Sequence, residues 1–322
     1  MSNSTIEIGS DSIFLPHYRG RLTEGVTYDY RNHSILWVDI IQGQINRVFL
    51  DNLSFIESIK WDKSGESIGA ITLTNDENIY LACSKSGLAY ANFKIKKLTY
   101  FFKYPDSDFR LRSNDGIIDP FGNLWIGLMT DFDLSAKEGG IKPEGKLYRI
   151  TPDLKIDLMI SDSLISNGLA FNSKGTEFYW TDSLTYTIWK FDYDVKSNKL
   201  SNKRPFFQSK LHFKEFESPE PDGLCITNGD EIYTTVFSTS TVVHLSKNGD
   251  ILEKFEIDAK RVTCVTIGDN SLYVTTGNLK LDDFKAEIDS NDKSGDLGGF
   301  LFKIETGKPL NGQRKAIWGG KV

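Results

Sequence analysis

A chain of 322 residues with 39% apolar and 25% charged side chains has the composition of an ordinary globular protein able to bury a large core. Its formal net charge of −6, with basic residues scattered, argues against a nucleic-acid partner, which would call for a basic face. No stretch approaches the roughly 18 apolar residues of a membrane span, and Met1–Ser10 has no basic start followed by an apolar run, so no membrane association and a cytoplasmic location are expected. Three cysteines, Cys83, Cys225 and Cys264, at no metal-like spacing, fit reduced buried thiols.

Phe and Tyr, at 21 and 13 against 3 Met, favour strands, because rings fit a pleated, half-buried surface. In chain order, one pattern recurs. A short apolar run follows a polar residue and a glycine or small residue, turns through Asn, Asp or Gly, and returns in a second strand carrying a large aromatic. Glu24-Gly25-Val26 leads to Trp37, Gly69-Ala70-Ile71 to Tyr80, and Asn114-Asp115-Gly116 to Trp125. Asn167-Gly168-Leu169 leads to Tyr179, Asp222-Gly223-Leu224 to Tyr233, and Cys264-Val265-Thr266 to Tyr273. A further strand pair follows several of these, clearest at Thr241–Leu245 and Ile251–Phe255 around the turn Lys247-Asn248-Gly249-Asp250. A period of roughly 40 to 50 residues built from short strands predicts propeller blades. The expectation is an all-β fold, a six-bladed β-propeller of four-stranded antiparallel blades, forming one domain over residues 1–322. Ring closure is expected between Ile13-Phe14-Leu15 and the strand Gly299–Ile304. Residues 130–145 break the pattern as a lid-like loop, and residues 279–298, dense in Asp and Lys, read as a solvated charged insertion.

The first strand of each blade lines the central channel, so polar residues at its start converge although distant in sequence. Glu24, Asn114, Asn167 and Asp222 hold that phase, and two carboxylates with two amides suit a hard divalent cation. Asn or Asp before Gly is also an ordinary turn signal; Glu24 is the exception, since Glu is a poor turn former. Asp115 reads either as a turn former or as a group orienting Arg112, and Asp182 as a turn residue. His17, His33, His212 and His244 fall outside the convergent phase, and Cys225 has no evident His partner. No GxSxG elbow, P-loop or dinucleotide fingerprint stands in a suitable strand–helix setting.

Thr23-Glu24-Gly25, Arg112-Ser113-Asn114-Asp115-Gly116 with Asp119-Pro120-Phe121-Gly122, Ser166-Asn167-Gly168-Leu169, Tyr179–Ser183 and Pro221-Asp222-Gly223-Leu224 occur in order. Together they resemble the SMP-30/gluconolactonase/luciferin-regenerating-enzyme family, regucalcin and its relatives. The resemblance runs from about Glu24 to the strand ending at Ile304. It implies one divalent cation (Ca, Mg, Mn or Zn) on Glu24, Asn167 and Asp222, substrate binding by Arg112 and Asn114, and Asp222 as general acid/base. It further implies hydrolysis of a small-molecule sugar lactone. The substrate-contacting Glu of some members is replaced here by Phe132, leaving Asp131 and Asp133 as candidate stand-ins. The alternatives are a non-catalytic calcium-binding or interaction propeller, and hydrolysis of another ester or phosphoester at the same cation.

Overall fold

The computed structural model describes residues 4–62, 65–105, 110–281, 283, 286–289 and 295–322. Six antiparallel sheets follow one another along the chain. Blade one runs through Thr23–Asp29, Ser34–Asp39, Gln44–Phe49 and Asn52–Lys60, and blade two through Ile68–Leu73, Ile79–Ser84, Gly87–Asn92 and Lys97–Lys103. Blade three is Leu111–Ile118, Leu124–Thr130, Gly145–Ile150 and Ile156–Ser163; blade four is Ser166–Phe171, Glu177–Asp182, Thr187–Asp194 and Lys199–Gln208. Blade five is Glu220–Ile226, Ile232–Phe237, Thr241–Leu245 and Ile251–Ile257, and blade six starts with Arg261–Gly268 and Ser271–Gly277. Each blade's first strand packs against the first strands of both neighbours, which makes the ring a six-bladed propeller.

The ring closes where the sequence indicates. Phe302–Ile304 pairs with Ser271–Gly277, and Ile13 bridges Phe302 on its other side, with the Phe14 N–H donating to the Leu301 carbonyl at 2.8 Å. A strand from the C-terminal end and a bridge at Ile13 from the N-terminal end thus complete blade six. One addition was not legible: Ser4–Ile8 joins blade five as a fifth strand, parallel to Ile251–Ile257.

The six marker aromatics, Trp37, Tyr80, Trp125, Tyr179, Tyr233 and Tyr273, are all buried, each on the second strand of its blade. They fill the interfaces between sheets, where a ring's large area is removed from water on both sides. The three cysteines are buried and free, and burial holds the Cys225 thiol up at about 12, so none is a ready nucleophile.

Close approach of the inner strands explains the glycines that punctuate them. A methyl group on Gly168 would stand 2.3 Å from the carbonyl oxygen of Asp222 in the next blade. Gly168→Ala is therefore expected to cost about 1–3 kcal/mol by overpacking, read as a lower denaturation midpoint. Because the clash is with the Asp222 backbone, the same change should also displace that residue's side chain. Gly25 has the different reason of a φ of +56°, which a side chain tolerates poorly.

The far end of the channel, where the inner strands finish, is crossed by the segment 310–322. Gly312 bridges Thr227 and Ile317 bridges Leu73, while the Gly319 N–H donates to the Gly122 carbonyl at 3.0 Å. Within this crossing Trp318 is buried. Nothing periodic in that segment announces it.

Among the described residues, no helix is long and apolar enough to cross a membrane.

Candidate functional site

In all six blades the pairing of the first and second strands slips at one place. The slips fall at Glu24/Thr27, Ile68/Ala70, Ser113/Gly116, Asn167/Leu169, Pro221/Leu224 and Val262/Cys264. An extra residue in one strand re-aims the side chains around it, and here the bulge sits at the start of each inner strand. Glu24, Asn114, Asn167 and Asp222 lie inside these strands rather than in turns ahead of them. The turn reading of Asn and Asp before Gly is thus replaced by a bulge reading. A true turn is found at Asp119, whose Oδ1 accepts from the N–H groups of Phe121 and Asn123, both at 2.9 Å.

The bulges bring the residues together. Glu24, Arg112, Asn114, Asn167 and Asp222 all line one cavity of about 190 Å³ at the channel end where the inner strands begin. Ser183 and Glu220 join them, and Leu22, Ile40, Met129, Phe132, Ile165, Phe237 and Leu281 supply apolar walls. The four histidines are elsewhere: His33 bonds Asp51 and Asp269, His244 bonds Glu231 and stacks on Tyr233, His212 stacks on Phe207, and His17 is exposed.

Charge dominates this cavity. Burial pushes the Glu24 carboxyl up to about 8, helped by the Asp115 carboxylate and opposed by the Gly25 N–H, which donates to Glu24 Oε2 at 2.8 Å, and by Arg112. Asp222 is driven well above the usual carboxylate range by burial, then by Glu24, Asp115 and Glu220, with the Asn167 amide opposing. Its Oδ1 is buried and has no hydrogen-bond partner among the described residues. Asp115 does not bond Arg112. Its Oδ1 accepts from the Gly116 N–H at 2.7 Å; burial raises its pKa, and Lys315 of the crossing segment draws it back. Its charge acts on Glu24 and Asp222, a role the sequence did not reveal.

Arg112 is held rigidly. Its Nη1 donates to the Ser113 carbonyl at 2.8 Å and to Asn114 Oδ1 at 3.1 Å, Nη2 lies 3.2 Å from Met129 Sδ, and the Phe132 ring covers the guanidinium at 3.9 Å. Burial lowers its pKa to about 10, with Asp131, Glu24 and Asp222 opposing, so it stays charged at neutral pH. Asn114 Nδ2 donates to the Ser166 carbonyl at 3.0 Å, tying blade three to blade four.

Two expectations need correction. Asp131 and Asp133 do not line the cavity. The stretch they occupy contains a short helix, Phe132–Glu138, capped at its C-terminus by Gly139 in the left-handed conformation. Asp131 precedes the helix, buried and ion-paired with Lys85, while Asp133 is exposed. Successive helical positions point about 100° apart, so turning Phe132 into the cavity turns its neighbours away. The second correction concerns residues 279–298, part of which lies outside the described residues. Arg21 donates to the Lys280 and Asp283 carbonyls at 2.9 and 2.7 Å, and Leu281 reaches the cavity, so this stretch contributes a wall. The turn role of Asp182 is refined: its carboxylate accepts from the Ile165 N–H at 3.0 Å, as Asp39 accepts from the Arg21 N–H at 2.7 Å, latching the approach to the inner strand.

The donor set fits a hard divalent cation. Two carboxylates facing one cavity, with Glu24 raising the pKa of Asp222 and Asp222 carrying an orphaned oxygen, are a costly arrangement that a positive ion relieves. Among the described residues no three His, Cys, Asp or Glu side chains gather closely enough to hold an ion alone, so the Asn167 amide oxygen would complete the set.

A family model described as "SMP-30/Gluconolactonase/LRE-like region" matches residues 22–278. The chain is 58% identical over 340 residues to the cell growth-regulated gene 1 protein of Candida albicans, covering 99% of this chain and 100% of that one. It is 27% identical over 305 residues to regucalcin of Gallus gallus, covering 88% and 90%. Among solved structures, a luciferin-regenerating enzyme superposes with a TM-score of 0.81 at 24% identity, covering 97% of this chain and 99% of that one. With its propeller, its bulged inner strands and a match over most of its length, the chain belongs to the SMP-30/gluconolactonase/LRE-like family.

Proposed function

We propose that the protein is a divalent-cation-dependent hydrolase that opens small lactones, sugar lactones being the class to which the family description points. The observation that carries this reading is the convergence of Glu24, Asn167 and Asp222 with the fixed cation Arg112 on one cavity. A cation held only for structure needs no guanidinium beside it.

Glu24, Asn167 and Asp222 would hold the cation, which when bound supplies positive charge for a developing oxyanion and acidifies water. Asp222 has two oxygens to divide between holding the ion and taking a proton. The water oxygen bonds to the carbonyl carbon while Asp222 accepts the water proton; the ring C–O bond then breaks and Asp222 returns the proton to the departing alkoxide. Arg112, fixed by Ser113, Asn114 and Phe132, faces the charge that develops and then the carboxylate product. Its rigidity means little reorganisation accompanies the reaction.

The test is proton release from glucono-δ-lactone and from alkyl δ-lactones, with the spontaneous rate subtracted. Turnover above background that chelator removes and Ca²⁺, Mg²⁺, Mn²⁺ or Zn²⁺ restores is the expected result. Background-level rates in every case would favour the non-catalytic binding module.

A further inference from the structure

The polar groups of the cavity are largely spent on one another. Both Nη atoms of Arg112 are engaged by Ser113, Asn114 and Met129, and the Asn114 amide nitrogen is taken by Ser166. Asn167 accepts from the Gly168 N–H at 3.1 Å and donates to Ser183 Oγ at 3.3 Å. What the fold leaves without a partner among the described residues is Asp222 Oδ1 and Arg112 Nε, both buried, while the Asn167 amide oxygen keeps a second lone pair for the cation and the Ser183 hydroxyl keeps its own proton.

The walls are of the opposite kind. Leu22 and Ile40 flank the first two strands of blade one, Met129 is next to the end of the second strand of blade three, Phe132 opens the short helix, Phe237 ends the second strand of blade five, and Leu281 comes from the segment between the last two strands of blade six. Phe132, Phe237 and Leu281 are half-buried, the more exposed of these apolar walls. A ring carrying hydroxyl or hydroxymethyl groups on every carbon but the carbonyl would leave several of those hydroxyls against apolar side chains, each losing its water without a replacement bond.

We infer that the cavity selects lactones whose carbonyl end is polar and whose ring substituent is an alkyl or other apolar group, in preference to fully hydroxylated sugar lactones. The inference rests on the lactone-hydrolase reading above and narrows its substrate. Phe132 is the specificity-determining residue at its centre, because it covers the guanidinium with a ring and faces the cavity.

The experiment compares δ-valerolactone, δ-hexalactone, δ-octalactone and glucono-δ-lactone on the cation-loaded protein. Calorimetric binding of the matching non-hydrolysable δ-lactams runs in parallel. Each added methylene is expected to raise kcat/KM roughly fourfold until the cavity is full, with glucono-δ-lactone at least about tenfold below δ-octalactone. Phe132→Ser is expected to flatten the alkyl series, lowering kcat/KM for δ-octalactone about tenfold more than for δ-valerolactone. Glucono-δ-lactone turned over as well as δ-octalactone overturns the inference and leaves the hydrolase reading standing. No turnover, but tighter binding of the octanoic than of the gluconic lactam, overturns the hydrolase reading and upholds the apolar preference. Neither turnover nor lactam binding overturns both.

Discussion

Replacing Asp222 by Asn is expected to abolish cation binding and lactone turnover together, while leaving the cation-free protein at least as stable as the parent. The substitution keeps shape and volume and removes one charge. In the parent that charge is buried, unpartnered at Oδ1, and pressed by Glu24, Asp115 and Glu220. Neutralising it relieves the cation-free fold, since a buried like-charge cluster costs stability unless it is paired. Turnover should fall by about 10³-fold or more, because losing a general acid/base alone costs 10²–10⁴. A cation at 100 times its Kd stabilises the parent by about 2.7 kcal/mol, a rise of a few degrees in melting temperature; the variant should show none. A purely structural Asp222 gives the reverse pattern, a lower cation-free melting temperature with the cation response kept. Retained cation binding with full lactone turnover in Asp222→Asn would remove the role assigned to this residue.

The fold was readable because a propeller writes its period into the chain. Each blade must bury one large aromatic on its second strand and bring small residues to the crowded axis, so Trp37 and its five counterparts, with Gly69, Gly168 and Gly223, recur in phase. The convergence of Glu24, Asn114, Asn167 and Asp222 on one cavity follows from the same phase, and the structure places all four there. What could not be read lies outside the repeat. Phe132 faces the cavity, and Asp131 does not, only because a helix begins there, and seven residues of helix leave little periodicity to detect. Leu281 and the crossing segment 310–322 act through contacts distant in sequence, with no local pattern to mark them. Asp115 shows a subtler limit. Its type and position were visible, but whether its charge serves Arg112 or opposes Glu24 depends on which way the bulge turns it. Family resemblance shares that limit: it aligned a substrate Glu with Phe132, and neither neighbouring Asp turns into the space.

The cation-free protein is expected to lose stability as pH rises from about 5 to above 8, and the cation to reverse that trend. The folded Glu24 carboxyl titrates at about 8 against an ordinary value of 4.5, chiefly because it is buried and then because Asp115 is near. Below the ordinary value both folded and unfolded chains hold the proton, and the stability due to the protonated group is complete. Between the two values the unfolded chain ionises freely while the folded chain retains the proton or carries a buried charge. The folded state then binds more protons, so stability falls with pH until the folded group has also ionised. Asp222, raised by burial and by Glu24, acts in the same direction. The expected drop in cation-free melting temperature is of the order of 5 °C across this window. His33, raised by its bonds to Asp269 and Asp51, also loses stabilisation as pH rises, so Glu24→Gln is the necessary comparison and should flatten most of the slope. Cation binding needs the ionised carboxylates, so its affinity should climb over the same range with release of protons. The two slopes therefore oppose each other around one group. A melting temperature that is flat or rising with pH in chelator, and unchanged in slope by Glu24→Gln, would mean that the carboxylates are not held in the unfavourable state that makes this cavity a cation site.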